Sequence, residues 1–243
     1  MFVWTEESIR FRGESARYTG CYDILAGHAS KYLPQACSVF EGGCGLGHLS
    51  MSLARRGYEV TAMDNSPAAV ASFREEAART GARVNILEGD IFRLPADEVF
   101  DCAVFCFFGG TKEILDWGKT HCRDKLIMFK KNWNTHRFTK DPGSIRKFTF
   151  PLTCEELDGL GVAYKTEVID ADMGQPFRSV KDAEAFFRLH DPEGEMTETD
   201  ILPKLTETGD PEYPYYLSAL RPVGMIIVSA ADINNHILRE VKK

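Results

Sequence analysis

Long apolar runs are missing: no stretch approaches the roughly 18 residues that cross a bilayer, so a membrane-spanning role is excluded. Paired-cysteine spacing is missing too. The seven cysteines, Cys21, Cys37, Cys44, Cys102, Cys106, Cys122 and Cys154, are odd in number, irregularly spaced and never arranged C-x-x-C, which suits neither a disulfide framework nor a zinc site. They read as reduced thiols, mostly buried. Glycine (20) and proline (11) are too scarce among 243 residues for a low-complexity chain, and there is neither a linker rich in them nor an internal repeat. Basic charge is in deficit: 29 lysines and arginines face 36 acids, a net charge of -7, whereas a protein that grips many phosphates carries the opposite sign. A nucleic-acid polymer is therefore a disfavoured partner. The opening residues, MFVWTEESIRFRGES, hold no basic stretch followed by an apolar one, so no secretory signal is expected and the expected setting is the cytoplasm. His48, His121, His136 and His190 have no partner at ligand spacing, and no metal is expected.

What is present is an alternation of short apolar runs with helical patterns. Strands are expected at Ser38 to Gly42, Glu59 to Asp64, Arg83 to Glu88, Phe100 to Phe107, Lys125 to Phe129, Val162 to Asp170 and Val223 to Ala230. Between the first five lie helical stretches at Leu46 to Arg56, Pro67 to Thr80 and Thr111 to His121, and a short loop around Pro95. Buried strands alternating with helices indicate an α/β fold, a mostly parallel sheet covered on both faces. The second helix is well marked at its start, with Ser66 as cap and Pro67 in the first helical position. Three segments stand outside the alternation: residues 1–36, residues 131–150, which belong to a basic stretch, and the acidic residues 171–222. In the last, Ser179 is expected to cap a helix that carries Ala183, Phe186 and Phe187 on one face. Long insertions in a compact domain often serve as lids, so this one is expected to cover an acceptor pocket, with a hydrophilic excursion that stiffens the sheet edge, or a dimer contact, as alternatives.

The chemistry concentrates where Val39-Phe40-Glu41-Gly42-Gly43-Cys44-Gly45-Leu46-Gly47-His48-Leu49-Ser50 runs from an apolar strand through a glycine turn into a helix. Glycines at 43, 45 and 47 let the backbone turn sharply and let a ligand come closer than a Cβ permits. Asp64 ends the next strand, where a carboxylate accepts hydrogen bonds from two ribose hydroxyls; capping the helix that starts at Ser66-Pro67 is its structural alternative. Glu41 points to the same cleft, either toward a cofactor's amino group or into an internal ion pair. Cys44, Cys102 and Cys106 fit small core residues better than nucleophiles. A dinucleotide fingerprint needs G-x-G-x-x-G, and Ser50 stands where its third glycine belongs.

The spacing E-x-G-x-G-x-G resembles the first motif of the class I S-adenosylmethionine-dependent methyltransferases, and the resemblance extends over residues 36–130. It implies a Rossmann-like sheet of seven strands, mostly parallel with the last antiparallel, helices on both faces and an inserted lid. One methyltransferase domain over 1–243 is implied, with an N-terminal helical cap at 1–36, a cofactor-binding core at 37–130, and insertions at 131–150 and 171–222. By the same resemblance the cofactor is S-adenosylmethionine and the product S-adenosylhomocysteine. Glu41, Gly43, Cys44, Gly45 and Gly47 form the turn, Asp64 is the ribose acid, and Asn65 lies by the adenine. Asp90 meets the adenine amino group, with Ile91 beside it, and Phe107 ends the fourth strand near the transferred methyl. Tyr18 and Tyr22, four apart and so on one helical face, match a helix that folds over the methionine moiety, although plain packing explains either one.

Methyl transfer needs alignment and exclusion of water more than a covalent catalyst, so the pattern names no catalytic base. Family enzymes that methylate exocyclic amines or glutamine amides follow the fourth strand with Asp or Asn, two prolines and an aromatic. Here the segment is Phe107-Phe108-Gly109-Gly110, and the chain has no Pro-Cys pair of the cytosine-carbon type. A small-molecule acceptor is expected, with RNA or protein, or a non-catalytic cofactor-binding module, as alternatives. Lys119 to Lys147 holds nine lysines and arginines against two aspartates, which suits an anion-binding surface but more simply a solvated edge strand and loop. Monomer and dimer are equally compatible with the pattern.

Overall fold

A computed structural model of the chain describes residues 3–135, 138–139, 147–191 and 196–233. It opens with two helices, α1 (Glu6–Thr19) and α2 (Cys21–Ala29), broken at Gly20 by a left-handed turn with φ of 63°. That break overturns the expectation that Tyr18 and Tyr22 share a helical face. The alternating elements follow: β1 (Ser38–Gly42), α3 (His48–Arg55), β2 (Glu59–Asp64), α4 (Pro67–Thr80), β3 (Asn85–Glu88), β4 (Phe100–Cys106), α5 (Thr111–His121), β5 (Cys122–Lys131), α6 (Phe150–Leu160) and β6 (Tyr164–Asp172). The insertion then adds β7 (Gln175–Phe177), α7 (Val180–His190), α8 (Glu198–Ile201), β8 (Thr206–Glu207) and β9 (Tyr215–Leu217), before β10 (Leu220–Ser229).

Two compact units result. The larger, of Tyr22–Asn132, Lys147–Ile169 and Pro222–Lys243, is built on a seven-stranded sheet in the order β3-β2-β1-β4-β5-β10-β6. Six strands run parallel and β10 runs against them, pairing with β5 from Val223 opposite Lys131 to Ser229 opposite Lys125. This is the Rossmann-like sheet that the resemblance implies, seven strands of which one is antiparallel. Its central strands carry apolar runs because helices cover both faces: Val39, Phe40, Cys102 to Phe105 and Leu126 to Phe129 are fully buried. Phe40 stacks on Trp117 at 4.7 Å, and Trp117 meets Phe105 edge-on at 5.3 Å. β5 lies inside this sheet, not at its edge, so the edge-strand reading of the basic segment is wrong. Helix α4 begins as expected, with the Ser66 hydroxyl accepting from the Ala69 amide at 3.3 Å, Pro67 following, and Ala69, Val70, Phe73 and Ala77 buried.

The smaller unit, of Met1–Cys21, Trp133–Arg146 and Asp170–Arg221, has a core of its own: Phe11, Phe177, Ala183, Phe186, Phe187, Ile201 and Leu217. A three-stranded sheet in the order β7-β9-β8 backs it. Helix α7 starts at Ser179, whose hydroxyl accepts from the Asp182 amide at 3.2 Å, as expected. Arg178 pairs with the buried Glu14, and Arg10 reaches Asp182 at 2.6 Å.

Candidate functional site

The larger unit brings the carboxyl ends of β1, β2, β3 and β4 to one edge, because the parallel register sets Gly42 beside Met63 and Phe105, and Asp64 beside Glu88. In open α/β sheets this edge is where ligands bind. The ladder continues past the strands: the amides of Gly43 and Cys44 donate to the Met63 carbonyl at 2.9 and 3.2 Å, and the Gly89 amide donates to Asp64 O at 3.0 Å. Gly43, Gly45 and Gly47 all have left-handed backbones, with φ of 67°, 53° and 71°. Two of them have a reason besides ligand approach. A Cβ at Gly43 would collide with the Phe108 ring, and one at Gly47 with the Phe73 ring.

Asp64 is the hinge of the constellation. One carboxylate oxygen accepts from the Gly45 amide at 2.8 Å and the other from the Ser66 amide at 2.9 Å, so the side chain ties the glycine turn to the approach of α4. The cap of α4 is Ser66 itself, so the helix-capping alternative for Asp64 reduces to a turn beside the cap. Glu41 is buried and accepts a hydrogen bond from the Ser50 hydroxyl. Burial pushes its pKa up to about 8, Ser50 opposes the rise, and Asp64, a second carboxylate, adds to it. The ion-pair reading of Glu41 therefore fails: the groups facing it are a hydroxyl and another acid. Ser50, noticed in the sequence only for excluding a dinucleotide, is the residue that satisfies this buried acid.

The remaining expected residues divide. Asn65 and Asp90 are exposed at the loops after β2 and β3, and Asp90 accepts from the Phe92 amide at 3.0 Å to start a short 3-10 turn, Ile91–Arg93. The Ile91 side chain is buried in the core with Phe40, Met63 and Phe105, and its carbonyl accepts from the Trp117 indole at 3.2 Å. Cys44 likewise packs inward, against Met51, Ala62 and Phe73, and burial pushes its thiol pKa upward, which suits a core residue and not a nucleophile. Phe107, half-buried, has φ of 53°, and its amide donates to the Phe129 carbonyl at 2.9 Å. Tyr22 reaches the site: its ring stacks on His48, the first residue of α3, at 5.8 Å. Tyr18 belongs to the smaller unit, where its ring lies 5.7 Å from Tyr213 and 5.1 Å from Tyr216.

Sequence reasoning missed Lys130. It is fully buried on β5, and its ammonium donates to the carbonyls of Phe108 and Gly109 at 2.9 and 2.7 Å. A lysine closing the apolar run Leu126 to Phe129 was the available signal. Of the basic segment around it, Lys119 pairs with Asp116, Arg123 with Asp101 and Lys125 with Asp124, while Arg137, Lys140 and Arg146 lie outside the described residues. A cavity of 420 Å³ lined by Ser38, Glu59, Arg83 and Phe100 opens at the amino ends of the strands, the wrong end of the sheet for this chemistry.

The chemistry of these groups suits a cofactor with a ribose, an adenine and an amino acid end: carboxylate acceptors at Asp64 and Asp90, a buried acid at Glu41, and left-handed glycines between them. Comparisons with known proteins agree. Residues 39–116 match a family model described as a methyltransferase domain. The chain is 32% identical over 84 residues to the release factor glutamine methyltransferase of Geobacter sulfurreducens, covering 34% of this chain and 30% of that protein. It is 43% identical over 54 residues to ribosomal RNA small subunit methyltransferase C of Alcanivorax borkumensis, covering 22% and 17%. The matched stretches thus span less than a third of either relative. The solved structure of a SAM dependent methyltransferase from Aquifex aeolicus superposes with a TM-score of 0.53 at 16% identity, over 70% of this chain and 94% of the other, a likeness of fold. Domains of this class take S-adenosylmethionine as methyl donor and release S-adenosylhomocysteine. Residues 39–116 thus carry a domain similar to those of the S-adenosylmethionine-dependent methyltransferases.

Proposed function

We propose that this chain transfers the methyl group of S-adenosylmethionine to a small-molecule acceptor. The observation that carries the cofactor half is the joining of the glycine turn to Asp64 through the Gly45 amide, which presents the left-handed turn and the acid as one surface. Asp64 would take the ribose hydroxyls, with Asn65 and Asp90 at the adenine and Ile91 behind them in the core wall. The backbone of Gly43, Cys44, Gly45 and Gly47 would line the methionine end, together with Glu41, Phe107 and Tyr22. Bound there, the cofactor supplies a methyl on a positively charged sulfur that is already a good leaving group. The chain's own task is then to orient the acceptor in line and keep water out, and Phe107 and Phe108 after β4 serve that purpose as apolar wall.

The acceptor half is supported by the same turn. Phe107, Phe108, Gly109 and Gly110 offer no side-chain acceptor for an amide or a base amine, and two of their carbonyls already bind Lys130. The net charge of -7 favours a neutral or cationic acceptor.

Calorimetry tests the reading. S-adenosylmethionine and S-adenosylhomocysteine should bind and NAD should not. Asp64→Ala should weaken S-adenosylhomocysteine binding by about 1.5–3 kcal/mol, the loss of charge-assisted hydrogen bonds, while circular dichroism shows a folded chain. Binding of NAD with no response to S-adenosylhomocysteine would overturn it. Formation of S-adenosylhomocysteine on RNA or protein, but not on a metabolite pool, would replace the acceptor class alone.

A further inference from the structure

An ammonium buried in the middle of a sheet is costly unless its hydrogen bonds are made. Lys130 is 0% exposed, and β5, which carries it, runs between β4 and β10. Both of its described acceptors are backbone carbonyls of one turn, Phe108 O at 2.9 Å and Gly109 O at 2.7 Å. That turn is under conformational load. Phe107 has φ of 53° and Gly109 φ of 67°, and a left-handed phenylalanine carries strain that the surroundings must offset. The far end of the turn is fastened separately: the Gly110 amide donates to Glu113 at 3.1 Å, and the Thr111 hydroxyl donates to Glu156 of α6. Phe108, held at the near fastening, has a ring that fills the space over Gly43 that a side chain there would need. Gly43 opens the glycine turn, so Phe108 joins the loop after β4 to the loop after β1.

We propose that Lys130 is a positioning residue of the methyl-transfer site: by holding the carbonyls of Phe108 and Gly109 it keeps the turn after β4 in its left-handed form and the Phe108 ring closed on Gly43. The proposal rests on the reading of this edge as the cofactor site. Lys130 acts through the turn and touches neither cofactor nor acceptor. Its role is preorganisation, because a loop already in its bound shape loses less freedom when the ligand arrives. The groups facing the ammonium are Glu156 from α6, Glu113 from α5 and Cys106 from β4. Burial pushes its pKa down to about 8 against their pull, and the neutral amine still has hydrogens for both carbonyls.

A double-mutant cycle on binding of S-adenosylhomocysteine tests this. Wild-type binding comes first, because its absence removes the cofactor reading and the proposal with it. Given wild-type binding, Lys130→Met and Phe108→Ala should each weaken the affinity by about tenfold, and the double variant should be about as weak as the worse single, since both break one link. Losses that multiply, about a hundredfold together, would leave the cofactor reading standing and overturn the role given to Lys130. Lys130→Gln, which keeps a donor, should recover most of the affinity that Lys130→Met loses; no recovery counts against the proposal. If no Lys130 variant folds, chains with Lys130 intact and labelled with 13Cε-lysine decide. Gly43→Ala and Phe108→Ala should both shift the Lys130 NMR signal while weakening binding, and an unmoved signal in both overturns it.

Discussion

Glu41 and Lys130 are buried ionisable groups of opposite type, and they bend the stability of the fold with pH in opposite directions. Glu41 rises from 4.5 to about 8, so the folded chain keeps a proton that the unfolded chain gives up. That contribution is complete below about pH 4.5 and is lost as pH climbs toward 8. Lys130 falls from 10.5 to about 8, so between those values the folded chain binds fewer protons than the unfolded one, and stability rises with pH there. Urea unfolding of wild type should therefore show a dip near pH 8. Glu41→Gln should flatten its acid side and Lys130→Met its alkaline side; a dip that survives both substitutions sinks the assignment. The two residues differ in how far the sequence betrays them. Glu41 sits inside a motif with local spacing. The burial of Lys130 depends on β10 returning antiparallel beside β5 from about ninety residues downstream, so the residue reads locally as one more cation in a basic stretch.

Among the elements, the glycine turn and its helix were legible because their signals are local: an apolar strand, closely spaced glycines, and the Ser66-Pro67 start of α4. The reason that particular glycines are required was only half legible, since the rings that press on them come from other elements. Gly47 and Gly81 separate backbone from packing. Their φ values are nearly equal, 71° and 69°, yet a Cβ at Gly81 meets nothing within 4 Å, whereas one at Gly47 meets the fully buried Phe73 ring. Gly81→Ala should cost about 1–2 kcal/mol, the price of a left-handed alanine. Gly47→Ala should cost that and about 1–3 kcal/mol more for displacing the ring. Denaturant midpoints of the two variants measure the difference, and equal losses would mean that Phe73 moves freely aside. At Gly20 the signal was present and was misread: a glycine between Tyr18 and Tyr22 marks a helix end, and spacing alone cannot carry a face across it.

At the scale of the molecule, the mostly parallel sheet was legible in the alternation of strand and helix patterns, because each β-α-β step is a local signal. The sheet β7-β9-β8 did not follow, since its strands are two or three residues long and β7 meets β9 across some forty positions. Charge is the property of the whole chain that bears on its acceptor. The net charge is -7, and of the basic stretch Lys119, Arg123 and Lys125 are paired with acids while Lys130 is buried. Cations already paired or buried are less free to neutralise the phosphates of a polyanion, and the counterion release that follows such neutralisation is what drives that binding. Methyl transfer to the true acceptor should then vary by less than about threefold in kcat/KM between 50 and 200 mM salt, because a small neutral or singly charged molecule displaces few ions. An RNA acceptor gripped through six or more phosphates would lose about a thousandfold or more over the same range. Tritium transfer from labelled S-adenosylmethionine, followed across that salt series, distinguishes the two outcomes, and a steep decline would move the acceptor from metabolite to polymer.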